Sequence, residues 1–525
     1  MNLLNELTHG LPSVVVSYAT MLLALFVMLW RYRASWGMYA RALAFSPVLF
    51  LIAVVALVIV EAVVAQGFFS TLLHAVLPFA AGIVCVEFQY RFGGRRHADV
   101  HIRGARVYSG GHEQSATRRS EQRGRRVLTL AGIAVPAEDE TKHFKLIGTT
   151  GSGKSTAIRE LLKGALERGD RAIIADPDGG YLTRFFDRQR GDIVLNPFEP
   201  QSLKWDVFSE IRDPYDVEQH SSGIVPSVED ASGREWRGYA RTFLTAVLRR
   251  CYQAGHHNPS ELWRLLAMAP AEELRPIVAN TPAQPFLEAA NARMFGSLRS
   301  VAVSGAAALE YIQAQQAPPC SVRAWVREGT GTLFIPYKAR QIAALRSMIA
   351  TWMKLAIFEA MSQPENQDQR LWFVVDELDA VGAIDGLKDA LARLRKFGGR
   401  CVLGFQSIAQ VSSTYGAQEA STIVENCGTS LILRCSSSEG GGTAQFAAQL
   451  IGDRDVERTS HSRSRSSPDW FSGQAGSTST GTNRSIIKEN AVLPSEIEQL
   501  PDLTGLLKFP SWRGWMQVVI PRPRS

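Results

Sequence analysis

The chain has 525 residues, enough for two to four domains, and 46% are apolar, which supplies ample core and excludes a globally disordered protein. Its formal charge is +7, and between Arg91 and Arg126 ten arginines stand against Asp99, Glu113 and Glu121, a local excess of the same size. The remainder is therefore near neutral, and the six scattered cysteines form no CxxC pair and no His/Cys cluster of metal spacing, so no disulfide framework or zinc site is expected.

Three apolar stretches open the chain: Leu11–Trp30, Ala42–Val60 and Phe68–Val86, of twenty, nineteen and nineteen residues, without a formal charge. A helix needs about twenty apolar residues to cross hydrocarbon, so each is expected to span a membrane. Residues 1–10 contain no Lys or Arg, which argues against a signal peptide. Arg31, Arg33 and Arg41 lie in the first connection, Glu61 is the formal charge of the second, and RFGGRR follows the third span. The positive-inside rule puts the first connection and everything after the third span in the cytoplasm, with the short turn at Gln66–Gly67 outside. The expectation is a multi-pass membrane protein, with residues 1–90 as the membrane region. Residues 91–140 form a basic segment, suited to anionic lipid headgroups or to phosphodiester backbones.

The strongest local pattern is GTTGSGKST, which fits G-x-x-x-x-G-K-[ST]. Gly148, Thr149, Thr150, Gly151, Ser152, Gly153, Lys154, Ser155 and Thr156 are the candidate nucleotide site. Glycines let backbone N–H groups curl around phosphate oxygens, Lys154 reaches the β- and γ-phosphates, and the Ser155 hydroxyl ligates Mg²⁺. Phe144–Ile147 before the loop reads as a strand and Ala157–Arg168 after it as a helix, whose N-terminus adds partial positive charge. ATP with Mg²⁺ is therefore the expected cofactor pair.

Further on, LWFVVDELDAV ends an apolar strand in Asp376 and Glu377. An aspartate there holds Mg²⁺ through water, and the adjacent carboxylate can orient and deprotonate the attacking water. From Gly331 onward strands and helices alternate: TLFIPY, the helix Ile342–Met361, LWFVVD, the helix Leu387–Lys396, CVLGF, a helix ending at Ile423–Cys427, and SLILRC. That alternation predicts βαβ units and a parallel sheet, with Lys154, Asp376 and Gln406 each just beyond the carboxyl end of a strand, where open α/β sheets bind ligands.

Lys154 and Asp376 are 222 positions apart, far more than one βαβ unit requires. Between them Trp236, Tyr239, Ala240, Phe243, Leu244, Val247, Leu248 and Cys251 form one helical stripe, and PSELWRLLAMAP begins another helix with Ser260 as expected N-cap. The reading is an all-α domain at 205–324 inserted between nucleotide-binding parts at 141–204 and 325–525. Residues 459–485 are rich in Ser, Gly, Thr and Arg, a composition expected to form a mobile surface loop.

Several of these strings are idiosyncratic in wording and order: GTTGSGKS, DPDGG at Asp176–Gly180, LNPF at Leu195–Phe198, LWFVVDEL, RKFGGRCVLGFQS, and NAVLPSEIEQLPDLTG. From about Lys142 to Leu507 the chain resembles the type IV coupling proteins of bacterial conjugation, of the TraD/TrwB kind. The resemblance implies a homo-hexameric inner-membrane ATPase with a RecA-like core. Such a protein hands single-stranded DNA, with its bound relaxase, to a type IV secretion channel. It also implies Arg395 as an arginine finger and Gln406 as a sensor of γ-phosphate or water; without it Arg393, Arg395, Lys396 and Arg400 are equivalent candidates. The family usually has two spans around a larger outer segment, and this chain departs from that pattern. Two other readings stay open at this point: an ATP-dependent docking receptor that pumps nothing, and an ATPase that exports protein.

Overall fold

In the computed structural model residues 100–123, 127–226, 231–437, 442–465 and 478–522 are described, with short helical pieces between 18 and 51. The third expected span and most of the second lie outside these residues. Among the described residues no helix is long and apolar enough to cross a membrane. The chain divides into two compact units: residues 1–100 with 457–485, and residues 101–456 with 486–525. In the first, the pieces around Tyr18 and Ser46 are helical, and the two side chains share a hydrogen bond of 2.8 Å.

The second unit is built on a ten-stranded sheet. Its strands, in chain order, are β1 (Val107–Ser109), β2 (Phe144–Ile147), β3 (Arg171–Pro177), β4 (Ile193–Val194), β5 (Thr332–Tyr337), β6 (Leu371–Val375), β7 (Gly399–Phe405), β8 (Thr429–Ile432), β9 (Thr504–Lys508) and β10 (Trp515–Val519). Their spatial order is β1-β10-β9-β8-β2-β7-β6-β3-β5-β4. The expected parallel sheet is corrected to a mixed one, because β9 pairs antiparallel with both β8 and β10. The β9–β10 reversal follows from a short return after Lys508, too short for a helical crossover and sufficient for a hairpin.

Both faces of the sheet are covered, so its strands read as near-continuous apolar runs. Ile147, Ile173, Ala175, Phe373, Val375, Leu403 and Phe405 lie in one buried cluster; Phe144, Leu146, Ala172, Ile174, Trp372, Val374 and Val402 lie in the other. The helix Lys154–Glu167 closes the second face through Ala157, Ile158, Leu161 and Leu162, and the helix Ile342–Met361 packs on the first. Lys145, buried on β2, donates to the carbonyls of Val424 and Cys427 and so satisfies the end of the helix Ala417–Asn426.

Between β4 and β5 the chain leaves through Lys204–Trp205 and returns through Pro319–Cys320, two short strands paired in parallel. Residues between them are helical, and the stripe on the helix Ala231–Gln253 is core: Ala240, Phe243, Leu244, Val247 and Leu248 are fully buried. Each large apolar side chain there stabilises the fold by about 1.5–3 kcal/mol. The following helix, Pro259–Ala267, is capped by Asn258, whose side chain accepts from Ser260 N–H. This corrects the expectation of Ser260 as cap: Pro259 at the first helical position lacks the N–H and has the fixed φ that position tolerates. A buried charge network roots the insert, with Glu359 meeting Arg323 at 2.8 Å and Arg212 at 3.1 Å, and Arg323 meeting Asp216 at 2.8 Å.

The expected Ser-rich loop is in large part strand. Asp453–Arg465 and Thr478–Asn490 are thirteen residues each, lying side by side in a sheet with Val100–Gly104. Ser460 bonding Asn483, and Arg454 bonding Glu489, mark them as antiparallel. Low apolar content forbids a core but not a two-faced polar ribbon, because strand pairing satisfies the backbone without burying side chains.

Candidate active site

Three strand ends converge. β2 runs into the loop Gly148–Gly153 and then the helix Lys154–Glu167; β6 ends at Asp376 and Glu377; β7, lying between β2 and β6, ends at Gln406. The register pairs Phe405 with Ile147 and Leu403 with Val375, so all three ends share one edge. Close approach is required there. A Cβ on Gly404 would lie 2.3 Å from the Asp376 carbonyl oxygen, so only glycine lets β7 pass the turn that carries the acidic pair.

The loop is braced from behind. Thr149 donates its N–H to the Arg434 carbonyl at 2.8 Å, and Ser152 offers its carbonyl to Leu503 N–H at 2.9 Å. Lys154 is buried and its ammonium donates to the carbonyls of Gly148 at 2.5 Å and Thr149 at 3.3 Å, which holds it across the loop. Burial lowers its pKa from the ordinary lysine value, and the carboxylates of Asp376 and Glu377 oppose that shift.

Ser155 donates its hydroxyl to Asp376 Oδ2 at 2.6 Å. That bond leaves the serine lone pairs free, while Asp376 Oδ1 is buried and takes no hydrogen bond from the protein. A serine oxygen with free lone pairs and an unused carboxylate oxygen, side by side at a phosphate loop, fit a Mg²⁺ ion held through nucleotide oxygens and water. Among the described residues no group of three or more His, Cys, Asp and Glu could hold a metal alone. A metal at this site therefore draws the rest of its oxygens from nucleotide and solvent.

Glu377 accepts from Gln406 Nε2 at 3.1 Å, and Gln406 Oε1 accepts from the Thr150 hydroxyl at 2.8 Å. A continuous path thus joins the phosphate loop to the acidic pair. Burial, reinforced by Asp376 and Asp379, pushes the Glu377 carboxyl above the ordinary carboxylate range, against the Gln406 bond and Lys154. A raised carboxyl is a stronger base when ionised.

Arg395 lies elsewhere. It sits in the turn Leu394–Phe397 before β7, at the opposite edge from Gln406. Seven residues of strand separate the two edges, about 20 Å at ~3.3 Å per residue. The structure sorts the neighbouring cations. Arg400 is buried, donating to the Gly398 carbonyl at 2.6 Å, and Lys396 pairs with Glu365 at 3.6 Å. Arg393 and Arg395 are exposed.

Sequence reasoning missed two members of the site. Tyr181 donates its hydroxyl to Asp376 Oδ2 at 2.8 Å, and Asp176 accepts the N–H groups of Tyr181 and Leu182. The DPDGG string was the available signal, since it marks a sharp turn at the end of β3, next to β6.

Residues 127–521 match the family described as the type IV secretion-system coupling protein DNA-binding domain. The chain is 29% identical over 392 residues to the coupling protein TraD of Escherichia coli K12, an alignment covering 73% of this chain and 53% of TraD. It thus spans about half the length of that relative. Among solved structures it is similar to the bacterial conjugative coupling protein TrwBdeltaN70 in its unbound form, at 30% identity and a TM-score of 0.69, covering 81% of this chain and 94% of that one. The plasmid coupling protein TrwB in complex with ADP and Mg²⁺ is similar at 29% identity and the same TM-score, covering 82% and 97%. TrwB with a non-hydrolysable ATP analogue matches at 29% identity and a TM-score of 0.69, covering 81% and 95%.

Proposed function

Because this chain belongs to the type IV secretion-system coupling proteins, we propose that it is an inner-membrane ATPase that drives single-stranded DNA, with its attached relaxase, toward a type IV secretion channel. The observation that carries the ATPase half is the path Thr150–Gln406–Glu377, which ties a catalytic base to the phosphate loop. A protein that only docks partners in response to ATP needs no such base.

Gly148–Thr156 wrap the phosphates, with Lys154 toward the β- and γ-oxygens. Ser155 and Asp376 would hold Mg²⁺, whose chemistry when bound would be to neutralise charge on the transferring phosphoryl group. Glu377 takes the proton of the attacking water, and Gln406 orients that water and reports on the γ-phosphate to Thr150. Arg395 stands about a strand's length from its own loop, beyond the reach of its side chain. It serves as a finger only toward a neighbouring subunit, and the homo-hexamer implied by the family resemblance would supply that neighbour. On this reading the N-terminal apolar segments anchor the assembly at the cytoplasmic face of the membrane as a multi-pass protein.

The test is ATP turnover by the detergent-solubilised chain with no DNA, single-stranded DNA or duplex DNA. Turnover stimulated by single strands and abolished by Lys154→Thr is expected. Turnover that responds to polypeptide and ignores DNA favours protein export, and the absence of turnover leaves a docking receptor.

A further inference from the structure

Asp376 is held by two donors, of which Ser155 belongs to the phosphate loop. The second, Tyr181, comes from a different element. It lies in the helix Gly180–Phe185, which follows β3, the strand beside β6. Asp178 and Gly179 adopt left-handed backbone at φ 58° and 70°, which turns the chain sharply so that the new helix begins over the end of its own strand. Asp176, fully buried at that strand end, then accepts Tyr181 N–H at 3.0 Å and Leu182 N–H at 2.7 Å. The ring of Tyr181 is buried and lies under the guanidinium of Arg159, 5.4 Å from its centre, and Arg159 stands one turn beyond Ser155 on the loop helix. Turn, cap and cation together leave the hydroxyl one direction, toward Asp376 Oδ2 at 2.8 Å.

A buried tyrosine hydroxyl needs a partner, and core packing alone explains that any partner is found. It does not explain the partner chosen. The hydroxyl and Ser155 both occupy Oδ2, so the one oxygen of Asp376 left without a protein donor is Oδ1. Two donors on one oxygen fix the plane of the carboxylate and aim the other. Partners of this kind, one bond removed from a metal, commonly change metal affinity by about 10–100-fold when lost.

We infer that Tyr181 is a positioning residue for Mg²⁺: through its bond to Asp376 it presents Oδ1 to a metal-bound water and sets how tightly the nucleotide site takes the metal. The inference rests on the ATPase reading above, and reaches past it to a side chain that touches neither nucleotide nor metal.

The test uses the full chain in detergent and a fluorescent ADP, with no turnover. Affinity for the nucleotide is measured in EDTA, then Mg²⁺ is titrated in and the midpoint of the affinity increase recorded. Tyr181→Phe should leave binding in EDTA unchanged and raise the Mg²⁺ midpoint about tenfold. An unchanged midpoint overturns the assignment. A fall in EDTA binding as large as the fall with Mg²⁺ also overturns it, since the tyrosine then only shapes the loop. If Tyr181→Phe does not fold, Asp176→Asn keeps the hydroxyl and loosens the cap that aims it. A raised midpoint in that variant supports the role, and an unmoved one contradicts it. Wild-type protein that binds no nucleotide at all sinks the ATPase reading instead, a result separate from any of these.

Discussion

The two edges of the central sheet are built on opposite principles. At the carboxyl edge every reactive side chain is gripped by another: Ser155 and Tyr181 on Asp376, Gln406 on Glu377, Thr150 on Gln406, loop carbonyls on Lys154. At the amino edge Arg395 is exposed on a short turn. A preorganised edge stabilises transition-state charge without moving at the moment of reaction. Arg393 is exposed beside Arg395, and neither arginine is held as the carboxyl-edge side chains are. On the reading proposed above, one chain holds nearly all of an ATPase centre and presents the missing charge outward, for a centre belonging to another copy.

If that contrast is right, the largest single loss comes from the exposed edge. Arg395→Ala should lower turnover by about 10³–10⁵-fold while leaving ATP affinity nearly unchanged, read by single-turnover hydrolysis alongside equilibrium binding. Glu377→Gln removes the base from the gripped edge, and should cost about 10²–10⁴-fold in kcat with nucleotide still bound. Thr150→Val removes the loop end of the path and leaves Gln406 and Glu377 in place; a smaller loss is expected, about tenfold, concentrated in kcat.

The pH dependence sharpens the same picture. Glu377 works as a base only when ionised, and burial raises its pKa, so turnover should fall with acid at a pH above the ordinary carboxylate range. Gln406 bonds the carboxylate and lowers that pKa, so Gln406→Leu should shift the acid limb of the pH–rate profile further upward. A limb that stays in place contradicts the role given to that bond. The smallest effect belongs to Arg393→Ala, expected to change turnover by less than about twofold, since an exposed charge away from a site contributes little. A large loss there erases the distinction between the two arginines.

Much of this centre was legible beforehand because its signals are local. The phosphate loop is contiguous, and Phe144–Ile147, Thr332–Tyr337 and Ile342–Met361 occupy the expected residues because apolar runs bounded by turn residues have few alternatives. What escaped is non-local. The antiparallel β9 depends on which strand it meets, not on its own residues. The polar ribbon Asp453–Arg465 looks like a loop because its stability is in backbone pairing, which composition does not report. Tyr181 is 195 positions from Asp376, and a tyrosine after a glycine turn carries no mark of the carboxylate it will hold. Arg395 needed the family resemblance to be singled out as a candidate finger, and geometry then added what the resemblance could not, the distance from its own loop.

The claim that most needs testing is that Arg395 completes a neighbour's site. Arg395→Ala and Glu377→Gln proteins, each inactive alone, are mixed in equal amounts before assembly. An interface that pairs the intact base of one with the intact finger of the other has every part, and random mixing makes about one interface in four of that kind. Wild-type protein doped with Glu377→Gln serves as control for ring-wide coordination, and a linear loss of activity is expected there. With that control linear, the mixture should regain a substantial fraction of wild-type ATP turnover, as composite-site logic requires. Activity that stays at background in the mixture, with the control linear, contradicts the assignment in trans.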